Sequence, residues 1–167
     1  MPWHTNYVKR LALLRRIDRA VAAKESAEAV ARAAIRPVRE LLGVARVAVS
    51  VFDLDGGEAE WLAAAGRRRT HVGPGVRFPI RLMGDPAALA KGEPQIIRTR
   101  ELPPGSEVDA LLASGVQAYM VMPMIAGGRL IGALSFGGER AHFPAEQMNI
   151  AQEVATQLAI AVGQARP

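Results

Sequence analysis

The chain contains no cysteine in its 167 residues. It therefore cannot form a disulfide, a thiolate zinc site, a cysteine nucleophile or a thioether bond to a tetrapyrrole. Aromatic residues make up only 5% of the chain, which disfavours a platform of stacked rings for nucleic-acid bases. No apolar run approaches the roughly 20 residues of a membrane-spanning helix, so we expect no contact with a membrane.

Positive charge is in excess but is not concentrated. The formal net charge is +5, which permits contact with nucleic acid or an anionic surface. The basic residues are spread along the chain, however, and only Arg67-Arg68-Arg69 form a dense group. We therefore expect no nucleic-acid partner. Because the start Met1-Pro2-Trp3-His4 lacks the layout of an export signal, we expect a cytoplasmic protein.

The clearest local signal is a pair of apolar runs, Gln117–Ile125 and Leu130–Phe136, joined by a turn that contains Gly127-Gly128. Two glycines between strand-length runs predict a β-hairpin, because both can adopt positive φ. In the first run apolar residues alternate onto both faces, with Tyr119, Val121 and Ile125 on one and Met120, Met122 and Met124 on the other. The hairpin therefore predicts a sheet covered on both sides, although alternation does not tell which face is which.

Helical periodicity marks both ends of the chain. The first helix is predicted at Tyr7–Ala23 and the last at Ala145–Ala165, each with a narrow apolar seam: Val8, Leu11, Leu14, Ile17, Ala20 and Val21 in the first, Ile150, Val154, Leu158 and Val162 in the last. A second helix is predicted to begin after Ser26 and to end at Gly43. Pro37 lies inside it and is expected to kink or split it.

The segments between these helices predict strands and short helices. We expect strands at Val44–Asp53, Glu58–Ala65, Gly75–Ile80 and Gln95–Arg98, and short helices at Met83–Lys91 and Glu107–Ser114. Together with the hairpin, this order predicts the α+β class with a central antiparallel sheet.

Two groups of residues allow a chemical as well as a structural interpretation. Arg67-Arg68-Arg69, with His71 and the nearby glycines, suit an anion, but a solvated loop explains them more simply. Four methionines suit an adaptable apolar pocket, but ordinary core filling is again the simpler interpretation: Met83, Met120, Met122 and Met124. Neither group assigns a function by itself.

Several motifs follow one another in a fixed order. The strand Arg46–Asp53 precedes Asp55-Gly56-Gly57. The segment Gly75–Ile80 precedes a short helix, and Lys91–Ile97 follows that helix. Gly115–Tyr119 then leads through Val121-Met122-Pro123-Met124 to Gly128–Phe136. In this order the motifs resemble those of the GAF domain, the small-molecule-sensing fold of phytochromes, cyclic-nucleotide phosphodiesterases and many bacterial signalling proteins. The resemblance covers about residues 11–165, and we expect residues 1–167 to form a single domain.

The resemblance implies both an architecture and a function. The fold would be a central antiparallel sheet of five to six strands, with the terminal helices on one face and short helices and loops over a ligand pocket on the other. The function would be that of a regulatory sensor, which binds a small ligand or forms a homodimer through its first and last helices. It would relay a signal to a linked or associated output module, such as a histidine kinase, into which the last helix could continue.

The sequence also departs from several members of the family. Members that bind cyclic nucleotides carry an Asn-Lys…Phe…Asp-Glu motif, and no Asn-Lys pair is present here. Bilin attachment and free methionine sulfoxide reduction in this family use cysteines, which the chain lacks. Haem-binding members use a histidine, but His4, His71 and His142 lie in predicted tails or loops. We therefore expect no cofactor and no metal.

The ligand pocket implied by the resemblance draws on strands and short helices of its ligand side. The predicted pocket residues are Ser50, Phe52, Phe78, Ile80, Met83, Leu89, Thr99, Ala118, Met120, Ser135 and Phe136. No catalytic residue is predicted among them, because neither a histidine nor a cysteine is placed to activate a nucleophile. We expect the domain by itself not to be an enzyme.

Two alternatives stay open. The first is a divergent enzyme related to free methionine sulfoxide reductase, which the missing cysteines disfavour. The second is a nucleic-acid-binding module, which rests on net charge alone. Binding through scattered charges would be lost at moderate salt concentration, so salt dependence separates this alternative from specific recognition.

Overall fold

The computed structural model of the chain describes residues 2–66 and 75–165, with side chains from Tyr7 onward. Arg67-Arg68-Arg69 and His71, predicted to form a loop or an anion site, lie outside these residues. Within the described part, no helix is both long and apolar enough to cross a membrane.

The described residues form five α-helices and six β-strands. The helices are α1 (Pro2–Ala22), α2 (Ala27–Leu42), α3 (Pro86–Ala90), α4 (Ser106–Ala113) and α5 (Ala145–Ala165). The strands are β1 (Arg46–Asp53), β2 (Glu58–Gly66), β3 (Arg77–Pro79), β4 (Gln95–Arg98), β5 (Ala118–Ala126) and β6 (Arg129–Gly138). Short 3-10 turns lie at Ile80–Met83 and Thr99–Glu101. The predicted α+β class is confirmed.

All six strands join one antiparallel sheet in the order β3-β2-β1-β6-β5-β4. The predicted hairpin is β5–β6, in which Met120 pairs with Phe136 and Met122 with Leu134. β6 lies between β5 and β1, so the hairpin occupies the middle of the sheet. This position explains why its residues are apolar on both faces.

One face of the sheet, termed the helix face, packs against α1, α2 and α5 in the larger core. Val47, Val49 and Val51 of β1 belong to this core. So do Val154 and Leu158 of α5, both 0% exposed. The predicted apolar seam of α5 is therefore covered by the sheet of its own chain. A partner subunit would have to meet other residues of this helix.

The helix α1 is turned relative to its predicted seam. Leu13, Ile17 and Ala20 are buried, whereas Val8 and Leu11 are 55% and 37% exposed. Leu13, Ile17 and Ala20 follow the spacing of one helical stripe, and this stripe faces the core. Val8 and Leu11 lie three residues apart on another stripe, which no described residue of the chain covers.

The helix α2 continues through Pro37, so the predicted split does not occur. Its ends are as predicted: Ser26 Oγ accepts a hydrogen bond from the Ala29 N–H at 3.1 Å, and Gly43 has a φ of 66°. Pro37 cannot donate to the carbonyl of Ala33, four residues earlier. Arg16 Nη1 of α1 instead lies 3.5 Å from that oxygen, in a long hydrogen bond that compensates in part.

The opposite face of the sheet, termed the cavity face, carries a second core that includes Tyr119 and Val121. The 3-10 turn Ile80–Met83, α3 and α4 supply its other side. The sequence predicted a single helix at Met83–Lys91, but Gly84 has a φ of 91° and ends the 3-10 turn. Asp85 then caps α3, because its Oδ1 accepts a hydrogen bond from the Ala87 N–H at 3.0 Å.

Two glycines allow β6 to lie between its neighbours. A Cβ atom added at Gly132 would lie 2.1 Å from the carbonyl oxygen of Ser50 in β1. One added at Gly137 would lie 2.1 Å from the carbonyl oxygen of Ala118 in β5. Both contacts are to backbone atoms, which cannot turn aside as a flexible side chain would.

We expect Gly132→Ala to lower the free energy of unfolding by about 1–3 kcal/mol, because the strands must separate to admit a methyl group. Gly66→Ala is the matched control, since the nearest atom to its Cβ would be the Ala45 carbonyl oxygen at 3.4 Å, an ordinary contact. Chemical denaturation measures both variants. Equal stability of the two would contradict the packing described for β6.

Candidate ligand site

A cavity of about 30 Å³ lies between the cavity face and the helices that cover it. Both charged and apolar residues line it: Arg46, Ala48, Trp61, Phe78, Leu82, Met83, Glu107, Leu111, Val116, Tyr119, Ser135, Phe136 and Gly137. This volume holds about two water molecules. A larger ligand would therefore have to displace part of the wall.

A β-bulge in β2 directs Trp61 to the cavity. Ala63 pairs with Val49, and Trp61 pairs with Ser50, so Leu62 is an extra residue between the two pairs. Without this bulge, Trp61 and Ala63 would share a face, because they are two residues apart. With it, Ala63 joins the core of the helix face and Trp61 joins the core of the cavity face.

Arg46 places a positive charge at the wall of the cavity. Arg46 is only 7% exposed, and its guanidinium carbon lies 5.1 Å from the centroid of the Trp61 ring. This distance is within the range of a cation–π interaction. Burial lowers the pKa of Arg46 from its usual value, but an arginine side chain remains charged at neutral pH.

Trp61 presents a buried hydrogen-bond donor without an acceptor. The residue is 5% exposed, and its Nε1 has no hydrogen-bond partner in the described part of the chain. Its ring packs edge to face against Phe78, with the centroids 5.1 Å apart. A buried N–H without a partner typically costs about 1–3 kcal/mol, so a bound acceptor would restore a favourable interaction.

Tyr119 fixes the cover of the cavity to the sheet. Its hydroxyl group donates a hydrogen bond to the carbonyl oxygen of Leu82, in the 3-10 turn Ile80–Met83. Burial raises the pKa of Tyr119 well above its usual value of 10.0. The hydroxyl group is therefore protonated at neutral pH and remains a donor to the turn.

The structure brings together part of the predicted pocket. Phe78, Met83 and Ser135 line the cavity. Ser50 lies beside them, since its Oγ is 3.8 Å from Met83 Sδ. Two more of the predicted residues belong to or pack against the core of the same face: Phe52 and Leu89. Whether any of them contacts a ligand stays a prediction.

Two other predicted residues lie beside the cavity rather than in its wall. Ile80 is half-buried at the start of the 3-10 turn. Thr99 is buried, and its Oγ1 donates a hydrogen bond to the carbonyl oxygen of Val116 at 2.8 Å. Thr99 thus holds a residue of the wall in place and does not line the cavity itself.

The assignment of Ala118 and Met120 to the ligand side is wrong. Met120 belongs to the core of the helix face, and Ala118 shares its strand face because the two residues are two apart in β5. Phe136 borders the cavity but also belongs to the helix-face core, where its ring centroid lies 5.6 Å from that of Phe143. Met122 and Met124 point the same way as Met120, so their role is core filling.

The most informative residues of the cavity were not predicted. Trp61 was missed because the bulge reverses strand alternation, and nothing in the local sequence marks that bulge. Arg46 was missed because an arginine at the start of a strand is usually exposed. Tyr119 had been placed correctly on the face opposite Met120, but alternation alone did not show that this face carries the cavity.

Other polar groups have structural roles or are dispersed. Asp53 Oδ1 accepts a hydrogen bond from the Gly56 N–H at 3.0 Å, as expected of an acidic residue in a turn. Glu58 and Glu60 lie 3.7 Å and 3.6 Å from the side chain of Arg77 in β3. Among the described side chains, no three histidine, aspartate or glutamate residues lie close enough together to hold a metal ion.

Several solved structures share this fold. The phycocyanobilin-bound GAF domain of a cyanobacterial phytochrome is 24% identical, with a TM-score of 0.74 over 93% of this chain and 94% of that one. The GAF domain of a phosphoenolpyruvate-protein phosphotransferase from Coxiella burnetii is 22% identical, with a TM-score of 0.71 over 95% of both chains. Free methionine-R-sulfoxide reductase from Neisseria meningitidis, in complex with its substrate, is 21% identical, with a TM-score of 0.68 over 94% of this chain and 90% of that one.

The TM-scores establish a common fold. The low sequence identities do not allow a ligand or an activity to be transferred to this chain. No curated protein matches the chain in sequence. The family model described as GAF domain matches residues 26–162, which include every strand of the sheet and most of α5. The resemblance seen in the sequence motifs is thereby confirmed, and the chain belongs to the GAF domain family, a ligand-binding sensor fold.

Proposed function

We propose that this domain is a regulatory sensor that binds a small molecule in the cavity lined by Trp61 and Arg46. The observation that carries the proposal is the buried Trp61 Nε1, a donor without an acceptor in the described part of the chain, in the wall of a largely apolar cavity. Ligand sites in proteins typically combine an apolar wall with a few convergent polar groups. The domain by itself is not an enzyme in this proposal.

Ligand entry requires the cover of the cavity to move. The cavity is too small for more than about two water molecules, and its cover consists of short helices rather than a strand of the sheet. The hydrogen bond from Tyr119 to Leu82 holds the 3-10 turn closed. A ligand would displace this turn, and the cavity would change from the closed arrangement described here to an open one.

Strand β5 connects the cavity to the helix face. Tyr119 borders the cavity, while the next residue, Met120, belongs to the core that α5 shares. Since the two side chains extend from adjacent residues of one strand, a shift of β5 at Tyr119 also moves Met120 against its neighbours. The proposed signal is a repacking of α5 that continues into an output module such as a histidine kinase in the cytoplasm.

We further propose a homodimer through α1 and α5. Val8 and Leu11 form an exposed apolar stripe on α1, and Ile160 is 43% exposed on α5. Arg10 of α1 forms a salt bridge with Glu153 of α5. Ile160 follows Glu153 by two helical turns and so lies on the same side of α5. Exposed apolar residues thus occur on both of the helices that meet at this salt bridge.

A catalytic role has one structural argument, the shared fold of the methionine sulfoxide reductase from Neisseria meningitidis. Thiol chemistry is not available to a chain without cysteine. The charged groups at the cavity, Arg46 and Glu107, are a donor and a partly exposed acid, which suit recognition of a ligand. We therefore favour the sensor.

Native mass spectrometry of the purified domain tests whether a ligand is bound. We expect an additional mass that is released on denaturation and is lost in Ala48→Met, because the longer side chain fills the cavity that Ala48 lines. Ala87→Met, at an exposed position of α3, is the control and should retain the mass. Unliganded protein in every preparation, with no stabilisation by any compound of a metabolite panel, would refute the proposed function.

The dimer is tested by sedimentation equilibrium of the double variant Val8→Glu, Leu11→Glu. We expect dissociation to a folded monomer, because two charges would be buried in the interface. Leu54→Glu, at an exposed apolar residue of the β1–β2 turn, serves as the control and should remain dimeric. A double variant that sediments as the wild type does would exclude this interface.

Tyr119→Phe should destabilise the fold by about 1–3 kcal/mol at neutral pH, because the Leu82 carbonyl oxygen loses its buried donor. A second effect depends on pH. Since the folded-state pKa of Tyr119 lies above its usual value of 10.0, the unfolded chain ionises first as the pH rises above that value. The wild type should then lose up to about 1.4 kcal/mol per pH unit relative to the variant.

Chemical denaturation of both proteins between neutral pH and pH 11 provides the measurement. The difference in unfolding free energy between wild type and Tyr119→Phe should be constant below pH 10 and should decrease above it. A difference that stays constant throughout would show that Tyr119 is not buried as described.

A further inference from the structure

We propose that the ligand is a small carboxylic acid with a flat apolar body, whose carboxylate accepts a hydrogen bond from Trp61 Nε1 next to the charge of Arg46. This inference rests on the proposed ligand-binding function and adds the chemical class of the ligand. It is carried by three features of one wall of the cavity: a buried donor, a buried positive charge and apolar surroundings.

The donor requires an oxygen or nitrogen acceptor from outside the chain. Trp61 is 5% exposed and its Nε1 has no partner in the described residues. An indole N–H only donates, so neither a second donor nor an ammonium group can satisfy it. The nearby hydroxyl group of Tyr119 already donates to the carbonyl oxygen of Leu82. A ligand that satisfies Trp61 must therefore carry an acceptor atom, and a carboxylate offers two oxygens for this role.

The charge of Arg46 selects a carboxylate over a neutral acceptor. Its guanidinium carbon lies 5.1 Å from the centroid of the same indole ring, so the two groups act on one region. A guanidinium has five N–H donors and can bind a carboxylate in addition to other contacts. Glu107 also borders the cavity but is partly exposed and therefore partly solvated, whereas Arg46 is buried. Arg46 therefore supplies the buried positive charge of this wall.

The remaining wall indicates the body of the ligand. Phe78, Leu82 and Leu111 line the cavity with apolar surface. Phe78 and Trp61 meet edge to face, with an interplanar angle of 63°. A flat ring would pack against these side chains at little entropic cost, because it has few bonds that can rotate. A long polar ligand such as a sugar would leave its hydroxyl groups without partners on this wall.

The test compares benzoate with benzamide, which has nearly the same shape and keeps a carbonyl acceptor but has no charge. The indole N–H resonance of Trp61 is followed by NMR in a Trp3→Phe background, where Trp61 is the sole tryptophan. We expect benzoate at millimolar concentration to shift this resonance, and we expect it to bind at least about ten-fold more tightly than benzamide. Equal affinities, or no binding by benzoate, would overturn the inference.

Two variants separate the contributions of the two residues, with calorimetry as the readout. Trp61→Phe keeps an aromatic ring but removes the N–H, and Arg46→Met keeps an unbranched chain but removes the charge. Each should weaken benzoate at least about five-fold, and Arg46→Met should abolish its preference over benzamide. Retention of the preference in a folded Arg46→Met would overturn the role given to the charge. If either variant does not fold, the comparison of benzoate with benzamide in the protein that retains Trp61 and Arg46 decides the proposal.

Failure of this inference can be distinguished from failure of the proposed function. If benzamide binds as tightly as benzoate and shifts Trp61, the cavity binds ligands but does not select carboxylates. If neither binds while native mass spectrometry still shows an Ala48-dependent ligand, the sensor function stands and the carboxylate class is excluded.

Discussion

The hairpin β5–β6 is buried on both of its faces, and the rest of the structure follows from this constraint. Tyr119 and Val121 belong to one core, while Met120, Met122 and Met124 belong to the other. Apolar surface on both sides of a strand is stable only when both sides are covered. Three helices satisfy this requirement on the helix face, with α5 packed along its own apolar seam. The cavity face is covered by shorter elements, which leave a cavity.

The two faces of the sheet are covered differently, and in the proposed sensor this difference separates ligand binding from signal transmission. The helix face contains closely packed small residues, including Ala151, Ala155 and Ala159, all at most 1% exposed. Close packing of this kind transmits displacement, because it leaves no room for local adjustment. The cavity face instead contains a void and, in Trp61 Nε1, a donor for which the described residues supply no acceptor. An incompletely satisfied wall is expected at a ligand site, and would be a defect in a purely structural core.

The sequence allowed the order of elements, the antiparallel sheet and the two-sided hairpin to be predicted, because these depend on local periodicity and on turn residues such as Gly127 and Gly128. It did not allow the faces to be assigned, since alternation relates residues within a strand and not across the fold. Met120 was therefore placed on the wrong side. Trp61 was missed for a different reason. Its direction depends on the single extra residue Leu62, whose insertion is a property of the pairing between β1 and β2.

The closed state of the cavity limits how the domain can respond. The present volume of about 30 Å³ excludes a ligand such as benzoate. In the proposed function, binding therefore draws on an open state in which the 3-10 turn has left Tyr119. The apparent affinity is then the intrinsic affinity reduced by the fraction of open molecules. In the proposed sensor, an interaction that favours this open state, such as a contact of α5 with an output module, tightens ligand binding to the same degree that the ligand favours that contact. In the proposed sensor, the hydrogen bond between Tyr119 and Leu82 therefore favours the closed state and lowers the apparent affinity of the site.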